Sequence, residues 1–444
     1  MALGARTPVS CGIDIGSTNL KVAAIDADGR VVARVSRRTP RTDTLTTDGG
    51  TVMSVIEDMM IEACADRFEV HAVCTAGVGE DGVILDSSFS TLIDALPWYD
   101  SRRTALYASL PASIRDDETV DAHGSPAWGL VGWGWARAQI DMRDDLQWVA
   151  LADLPGVVWS GRAYMSDTLA SRTGAWRATT RAWDPDRVGL TLGTLDHLPP
   201  VVGSGEVVGT LRSRALQSAG VLASDAITVA GGHDHPIGGW GADQLSPGCV
   251  LDSMGTAEVV VARAQRPALA RTDHIDVSPA IRSAGTTMLR VEELARNVDW
   301  ASRDADVARH LRSLLAGLSD PLDVLDSGFF VPGRRGAPPG YSRDAPTDPR
   351  ARAGAVLGAL SRLGRDAVND VRQHAAAPGP VLMAGGWTRS PGWLRVKETV
   401  SGYDAVPITE QEVTAVSAAL LAAHARGWSP GAETALNGAA RPSR

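Results

Sequence analysis

Lysine is almost missing from this chain. Of its 43 basic residues only Lys21 and Lys397 are lysines; the rest are arginines. No GxxxxGK[ST] segment occurs anywhere, so a phosphate loop of that lysine-anchored class is excluded. The four cysteines, Cys11, Cys64, Cys74 and Cys249, lie far apart with no CxxC spacing. That argues against a zinc ribbon or a disulfide frame and fits a reducing compartment. No apolar run approaches the roughly 18 residues that a membrane span needs, and the opening MALGARTPVS lacks the apolar core of a secretory signal. A cytosolic protein without a membrane partner is expected. There is no long basic tract, and the formal net charge is −9. Nucleic acid is therefore not an expected partner either.

What is present is an ordinary globular composition, 44% hydrophobic and 21% charged over 444 residues, enough for two or three domains. The scarce lysine sits in the first informative stretch, CGIDIGSTNLKVAAIDADG, from Cys11 to Gly29. Residues 9–13, 20–26 and 30–36 are predicted strands, with DADG as a hairpin turn between the last two. DIGSTN is then a strand–turn–strand, whereas dinucleotide loops put their glycine turn before a helix. A turn of Gly16, Ser17 and Thr18 offers backbone N–H groups and hydroxyls to phosphate oxygens. Asp14 at the strand end could hold magnesium, directly or through water. A plain hairpin with an Asp–Gly turn explains the same residues.

A second stretch has the same grammar. In GCVLDSMGTAEVVVARA, Gly248 to Ala264, a strand ends in Asp252, a turn holds Ser253, Gly255 and Thr256, and a β-branched strand follows. Two such hairpins suggest a weak internal duplication whose loops could clamp a triphosphate; chance recurrence of a common turn is the competing reading. Just before it lies VAGGHDHPIGGWGADQL, Val229 to Leu245. Residues 226–230 are a predicted strand, broken by Gly231 and Gly232, and HDHP opens a helix with Pro236 in its first turn. Asp234 then stands near a helix N-terminus between two histidines, where a carboxylate can take a proton from an attacking hydroxyl. Asp234 as a helix cap and His233 with His235 as a metal-binding pair are the competing readings; the pair has no obvious further ligand. Gly238, Gly239 and Gly241 suggest close packing or a hinge.

Together these segments resemble the FGGY carbohydrate kinases of the sugar-kinase, Hsp70 and actin superfamily. DIGSTNLK is similar to that family's first phosphate motif, GGHDHPIGGWGA to its catalytic segment and DSMGTAE to its second phosphate motif. VLMAGGWTRSPGWLRVKETVSG, Val381 to Gly402, resembles the adenosine motif, and EVTAVSAALLAAHARGW, Glu412 to Trp428, the closing helix. LPWYDSRR, SDTLASRTGAW and FVPGRRGAPP are lesser matches in the same order.

The resemblance implies an α/β fold: two actin-like (ribonuclease H-like) domains flanking a catalytic cleft, residues 1–245 and 246–444. It implies ATP and Mg2+ as cofactors, and phosphorylation of a hydroxyl on a ketopentose, ketohexose or short polyol. Asp234 corresponds to the general base, and Asp14 with Asp234 to the magnesium positions. Gly16, Ser17, Thr18 and Lys21 would bind phosphates from one side, and Gly255 and Thr256 from the other. Gly385 and Gly386 would let adenine and ribose approach, and Ser390 would fix the nucleotide. In the loop GVGEDGVILD, Glu80 and Asp81 replace the family's Gln-x-His or Arg-Glu and are candidate sugar contacts, with Trp98 and His235. Asp100 and Arg102 are lesser candidates. The chain is short for the family, with the stretches between Asp299 and Phe329 and after Gly427 trimmed, and RVKETVSG lacks the usual Gln and Ala-Asp pattern. A homodimer is one open assembly. A non-catalytic sugar sensor and a polymerising actin-like ATPase are the alternative functions.

Overall fold

A computed structural model describes residues 6–264, 266, 269–320, 327–334 and 337–438. The opening residues 1–5 and positions 335–336 of the FVPGRRGAPP loop lie outside the described residues. By its contacts the chain divides into two compact units. The first comprises the chain up to Leu245, Arg266–Thr287 and the residues from Glu412 onward; the second comprises Ser246–Gln265 and Met288–Gln411. A division at 245/246 alone puts Arg266–Thr287 and the closing helix in the second half, whereas their contacts are made in the first.

In the first unit, strands β1 (Thr7–Ile15), β2 (Asn19–Asp26) and β3 (Val31–Arg38) form an antiparallel meander. Strand β4 (Phe68–Gly77) lies parallel to β1, β6 (Leu222–His233) parallel to β4, and β5 (Val207–Thr210) antiparallel to β6. The sheet order is β5-β6-β4-β1-β2-β3. Central β1 is buried without alternation from Val9 to Ile15, with Ser10, Gly12 and Asp14 at every second position, as in a strand covered on both faces. Edge strand β3 carries Arg34, Arg37 and Arg38, charges that blunt an open edge. Helix α1 (Gly49–Cys64) starts where the Asp48 side chain accepts the Thr51 N–H at 2.7 Å, and it buries Val52, Ile56, Met59, Met60 and Ala63. Helix α2 (Asp234–Leu245) follows β6 without a loop.

The glycine pair before α2 does not break the strand. β6 runs through Gly231 and Gly232 to His233 because the strand needs them small: a Cβ on Gly231 would lie 1.6 Å from the Thr75 carbonyl oxygen. Gly241 answers the packing half of the sequence expectation, since a Cβ there would lie 1.9 Å from Ser417 Oγ.

The second unit repeats the grammar. Strands β7 (Val250–Met254) and β8 (Ala257–Ala264) form an antiparallel hairpin, as β1 and β2 do. With β9 (Thr286–Glu293), β10 (Val381–Ala384) and β11 (Ala405–Pro407) the strands run in the order β9-β8-β7-β10-β11, β7 parallel to β10 and β10 parallel to β11. Helix α3 (Pro349–Ala375) is capped by Asp348 and has Pro349 in its first turn. Helix α4 (Pro391–Ser401) is capped by Ser390.

The chain then returns to the first unit as α5 (Val413–Ala425), whose residues Val413, Ala415–Ala423 are buried. A run of alanines lets α5 settle directly on β1. A Cβ on Gly12 would lie 1.9 Å from the Ala415 carbonyl oxygen and 2.3 Å from the Ala419 nitrogen, both backbone atoms that cannot step aside. Gly12→Val is expected to destabilise the first unit by about 3 kcal/mol or more, at the upper end for overpacked cores. Denaturant titration measures it, and an unchanged midpoint would show that α5 can lift from the strand at no cost.

Candidate active site

The β1–β2 turn is built from backbone. Gly16 N–H donates to the Asn19 carbonyl at 3.1 Å, and the Gly16 carbonyl accepts from Thr39 Oγ1 at 2.6 Å. Thr18 presents its carbonyl to the Thr39 N–H at 3.0 Å. The Ser17 carbonyl accepts from Arg41 Nη2 at 2.7 Å, and Ser17 Oγ accepts from the Trp98 indole N–H at 2.7 Å. Trp98, expected against a sugar, thus braces the turn through its indole nitrogen. Arg41 is a residue the sequence reading missed, because nothing local marks it.

Asp14 and Lys21 are cross-strand partners in the β1–β2 register. Their side chains share a face: Lys21 Nζ lies 3.4 Å from Asp14 Oδ2 and 2.8 Å from Glu412 Oε2, at the start of α5. Burial alone would lower the lysine's pKa, but Asp14 and Glu412 together raise it above its ordinary value. Asp14 is pushed up to about 6, first by burial, with the Asp234 and Glu412 charges adding and Lys21 opposing. Its Oδ1 is buried and has no hydrogen-bond partner among the described residues.

Asp234 opens α2. Its Oδ1 accepts its neighbour His235's backbone N–H at 2.7 Å and lies 3.2 Å from His233 Nε2. Burial, then the Glu80 charge, lifts Asp234 to about 7. Burial also lowers both flanking histidines, His233 well below its ordinary value and His235 to about 4. The carboxyl is therefore framed by two neutral imidazoles. Among the described residues no group of three or more His, Cys, Asp or Glu is placed to hold a metal ion, so the His-x-His pair gains no further ligand.

Glu80 and Asp81 both turn inward. Glu80 accepts from Arg172 Nε at 2.9 Å and lies 2.8 Å from Arg172 Nη2. Asp81 lies 3.7 Å from the buried Arg103 and is raised to about 7 by burial, against the pull of that arginine. Asp100 and Arg102 pair with each other at 2.7 Å, and Arg102 is part-exposed. Arg172 and Arg103 sit in segments that carried the resemblance, yet only their neighbours were singled out. Their partners lie too far along the chain to be read from spacing.

The second unit holds the other hairpin and the other lysine. Gly255 N–H donates to the Ala257 carbonyl at 2.8 Å, the counterpart of the Gly16 bond. Gly385 takes φ +91°, and a Cβ there would lie 2.3 Å from the Met254 carbonyl oxygen, so only glycine fits against this turn. The Trp387 indole donates to the Gly255 carbonyl at 3.0 Å. Gly386 opens the short turn Gly386–Arg389. The Ser390 hydroxyl donates to the Leu315 carbonyl at 2.6 Å and accepts the Trp393 N–H at 3.1 Å, so it is engaged as the cap of α4. Lys397 is buried, 2.7 Å from Asp252 Oδ2 and in contact with Glu258.

A family model, the N-terminal domain of the FGGY family of carbohydrate kinases, matches residues 9–241. The chain belongs to the FGGY family of carbohydrate kinases. It is similar to the xylulose kinase of Bacillus subtilis (strain 168), 22% identical over 94% of this chain and 88% of that one. L-fuculokinase of Escherichia coli (strain K12) is 23% identical over 62% of this chain and 59% of its own. In fold, the ligand-bound xylulose kinase from Lactobacillus acidophilus superposes with a TM-score of 0.79 at 16% identity, covering 96% of this chain and 91% of that one. This carbohydrate kinase therefore has the actin-like, two-sheet α/β fold expected from its motifs, and it phosphorylates a sugar or polyol with ATP. Among the described residues no helix is long and apolar enough to cross a membrane.

One lysine between two buried acids leaves a carboxyl in excess. Burial raises Glu258 to about 8, with Lys397 opposing and Asp252 adding, so this group holds a proton at neutral pH. A carboxyl whose folded pKa is raised stabilises the fold fully below its unfolded value of about 4.3, and that stability is lost as pH climbs through about 8. The free energy of unfolding should fall over this window, and Glu258→Gln should flatten the fall. Denaturant unfolding of both proteins from pH 5 to 9 checks it; parallel curves would mean that Glu258 carries no proton.

Proposed function

We propose that this kinase transfers the γ-phosphoryl group of ATP to a hydroxyl of a ketose or polyol, with Asp234 as general base. The observation that carries the reading is the state of Asp234. It is a carboxyl raised to about 7, at the start of α2, framed by two neutral histidines and electrostatically coupled to the Asp14–Lys21 hairpin and to Glu80. A base of that pKa is half-ionised at neutral pH and accepts a proton well. The hydroxyl proton passes to the Asp234 carboxylate as its oxygen bonds to phosphorus, and the bond from phosphorus to the ADP oxygen breaks.

The other assignments follow from position. The turn Gly16–Thr18 and Lys21 offer N–H groups and one cation to phosphates. Lys21 is 29% exposed, so it can reach a ligand while tethered to Asp14 and Glu412. Gly255, Thr256, Gly385 and Gly386 supply the nucleotide's share from the second unit, and Ser390 contributes by starting α4. Glu80, Asp81 and His235 line the acceptor's side. Magnesium fits Asp14, whose Oδ1 is buried and unpartnered, and Asp234 is the second carboxylate within its field; magnesium commonly takes one or two carboxylates plus phosphate and water. When bound it supplies charge neutralisation on the phosphates. Xylulose and L-fuculose, the sugars named for two relatives, are both ketoses, which makes a ketose the first acceptor to test.

Asp234→Asn should lower kcat by about 1,000-fold or more while ATP affinity changes little. A coupled ADP-release assay over ketoses and polyols, with ATP binding by calorimetry, checks this; retained turnover removes the base. In the unmodified enzyme, kcat/KM for the acceptor should rise tenfold per pH unit and level off above about 7, because the base works deprotonated. A profile flat from pH 5 to 8 would contradict the assignment.

A further inference from the structure

The acceptor side of the first unit has a feature that the kinase reading does not use. Arg172 is buried, and its guanidinium is divided between two acids. Nε and Nη2 face Glu80 Oε1 at 2.9 and 2.8 Å, and Nη1 meets Asp276 Oδ2 at 2.7 Å. Asp276 is held in turn by His123, through its backbone N–H at 2.9 Å and its ring Nδ1. The strand Asp276–Pro279 is fixed beside that loop by the Val277 N–H to the Asp121 carbonyl at 2.9 Å. The arginine stem passes over Gly79, where a Cβ would lie 2.5 Å from Arg172 Cγ and 3.0 Å from the His233 ring. Arg172 therefore borders the residue next to Asp234.

The neighbouring guanidiniums are engaged as well, while Lys21, tethered to Asp14 and Glu412, is kept for the phosphates. Arg103 faces Asp81 and donates to the carbonyls of Leu96, Trp128 and Glu80. Arg41 donates to the Ser17 carbonyl and the Thr47 hydroxyl. Resting on the assignment of Glu80 and Asp234 to the acceptor side, we propose that the Arg172–Asp276–His123 clamp sets acceptor specificity. It fixes Glu80 as an acceptor for hydroxyl hydrogens and keeps the Arg172 guanidinium paired, so that it is not offered to a substrate carboxylate. The site then takes uncharged polyhydroxy compounds and rejects sugar acids, whose carboxylate would meet the charges of Glu80 and Asp234 beside a guanidinium already paired with two acids. Rejection by like charge is a stronger discriminator than a missing contact. Asp276 is a positioning residue here, acting through Arg172.

The experiment compares matched acceptors, a ketose or polyol against the aldonate of the same carbon number, by ADP release and by calorimetry. The unmodified enzyme should prefer the uncharged member by about 100-fold or more in kcat/KM. Asp276→Asn should raise KM for the uncharged acceptor about 10-fold, leave KM for ATP within about 2-fold, and narrow the preference about 10-fold. Asp276→Glu should restore much of it. A purely structural loss would move ATP and acceptor parameters together and would not change the preference. Aldonate turnover equal to that of the uncharged partner overturns the proposal, as does an Asn variant with unchanged preference. Selective calorimetric binding of the uncharged compound without ADP release would support the clamp while refuting the kinase assignment of Asp234. Absence of binding by either class would overturn the clamp.

Discussion

The first unit depends on an imbalance of buried charge. Asp14 and Glu412 share a single lysine, Lys21, and Asp14 retains an oxygen with no protein partner. A carboxylate held that way would protonate or seek a cation, because burial disfavours its charge. Lys21 ties together β1, β2 and the start of α5, segments some 390 positions apart in sequence. It does so close to the glycine turn, so the anchor of the sheet and the chemistry of the turn rest on the same side chain. The near absence of lysine elsewhere makes the placement legible: a strongly hydrated point charge stands where an arginine fork would reach further and bind in two directions.

The two lysines perform the same operation to different degrees. Each sits under a hairpin of Asp–turn–strand form and pairs with two carboxyls. Lys21 is 29% exposed, whereas Lys397 is 3% exposed. Lys397 is sealed between β7, β8 and α4 and ties the hairpin to that helix. The duplication visible in the sequence is thus a duplication of backbone geometry, with one copy left open to solvent and the other closed. Buried ion triads of this kind add little net stability over an apolar core, but breaking one partner leaves an uncompensated charge. Their value lies in holding one register for the hairpin.

What the sequence made legible was local. The turns DIGSTN and DSMGTA and the helix opening at HDHP could be read because each is a short pattern with a backbone consequence; the fold class came from the family resemblance that these segments carry together. Gly231 and Gly232 were read as a strand break, the common meaning of paired glycines. Their real cause is the approach of the Thr75 carbonyl from β4 to Gly231 and of the Thr168 hydroxyl to Gly232, both long-range facts. The same holds for α5, which stands at the end of the chain yet packs on β1 through Gly12. Arg172 and Asp276 are 104 positions apart, and the His123–Asp276 contact spans 153. No spacing rule connects such residues, so the clamp could come only from the coordinates. Trp98 was read by residue type as a sugar contact; that its indole N–H donates to the Ser17 hydroxyl 81 positions away could not be read from spacing.

Arg172 contacts Asp276, a carboxyl clamped down to about 2, and acts through its charge on Asp234, a base raised to about 7. For Asp276, burial would raise the carboxyl, but the His123 hydrogen bond and the Arg172 charge overcome it. For Asp234 the same arginine is a minor opposing influence, because its charge is already drawn toward Glu80 and Asp276. Had Arg172 faced Asp234 directly, it would have lowered that carboxyl toward an ordinary value, below the pH at which it is most effective as a base. Dividing the guanidinium between two other acids keeps the catalytic candidate weakly paired. The clamp that excludes a charged acceptor therefore also protects the basicity of Asp234, and the two effects have a single structural cause.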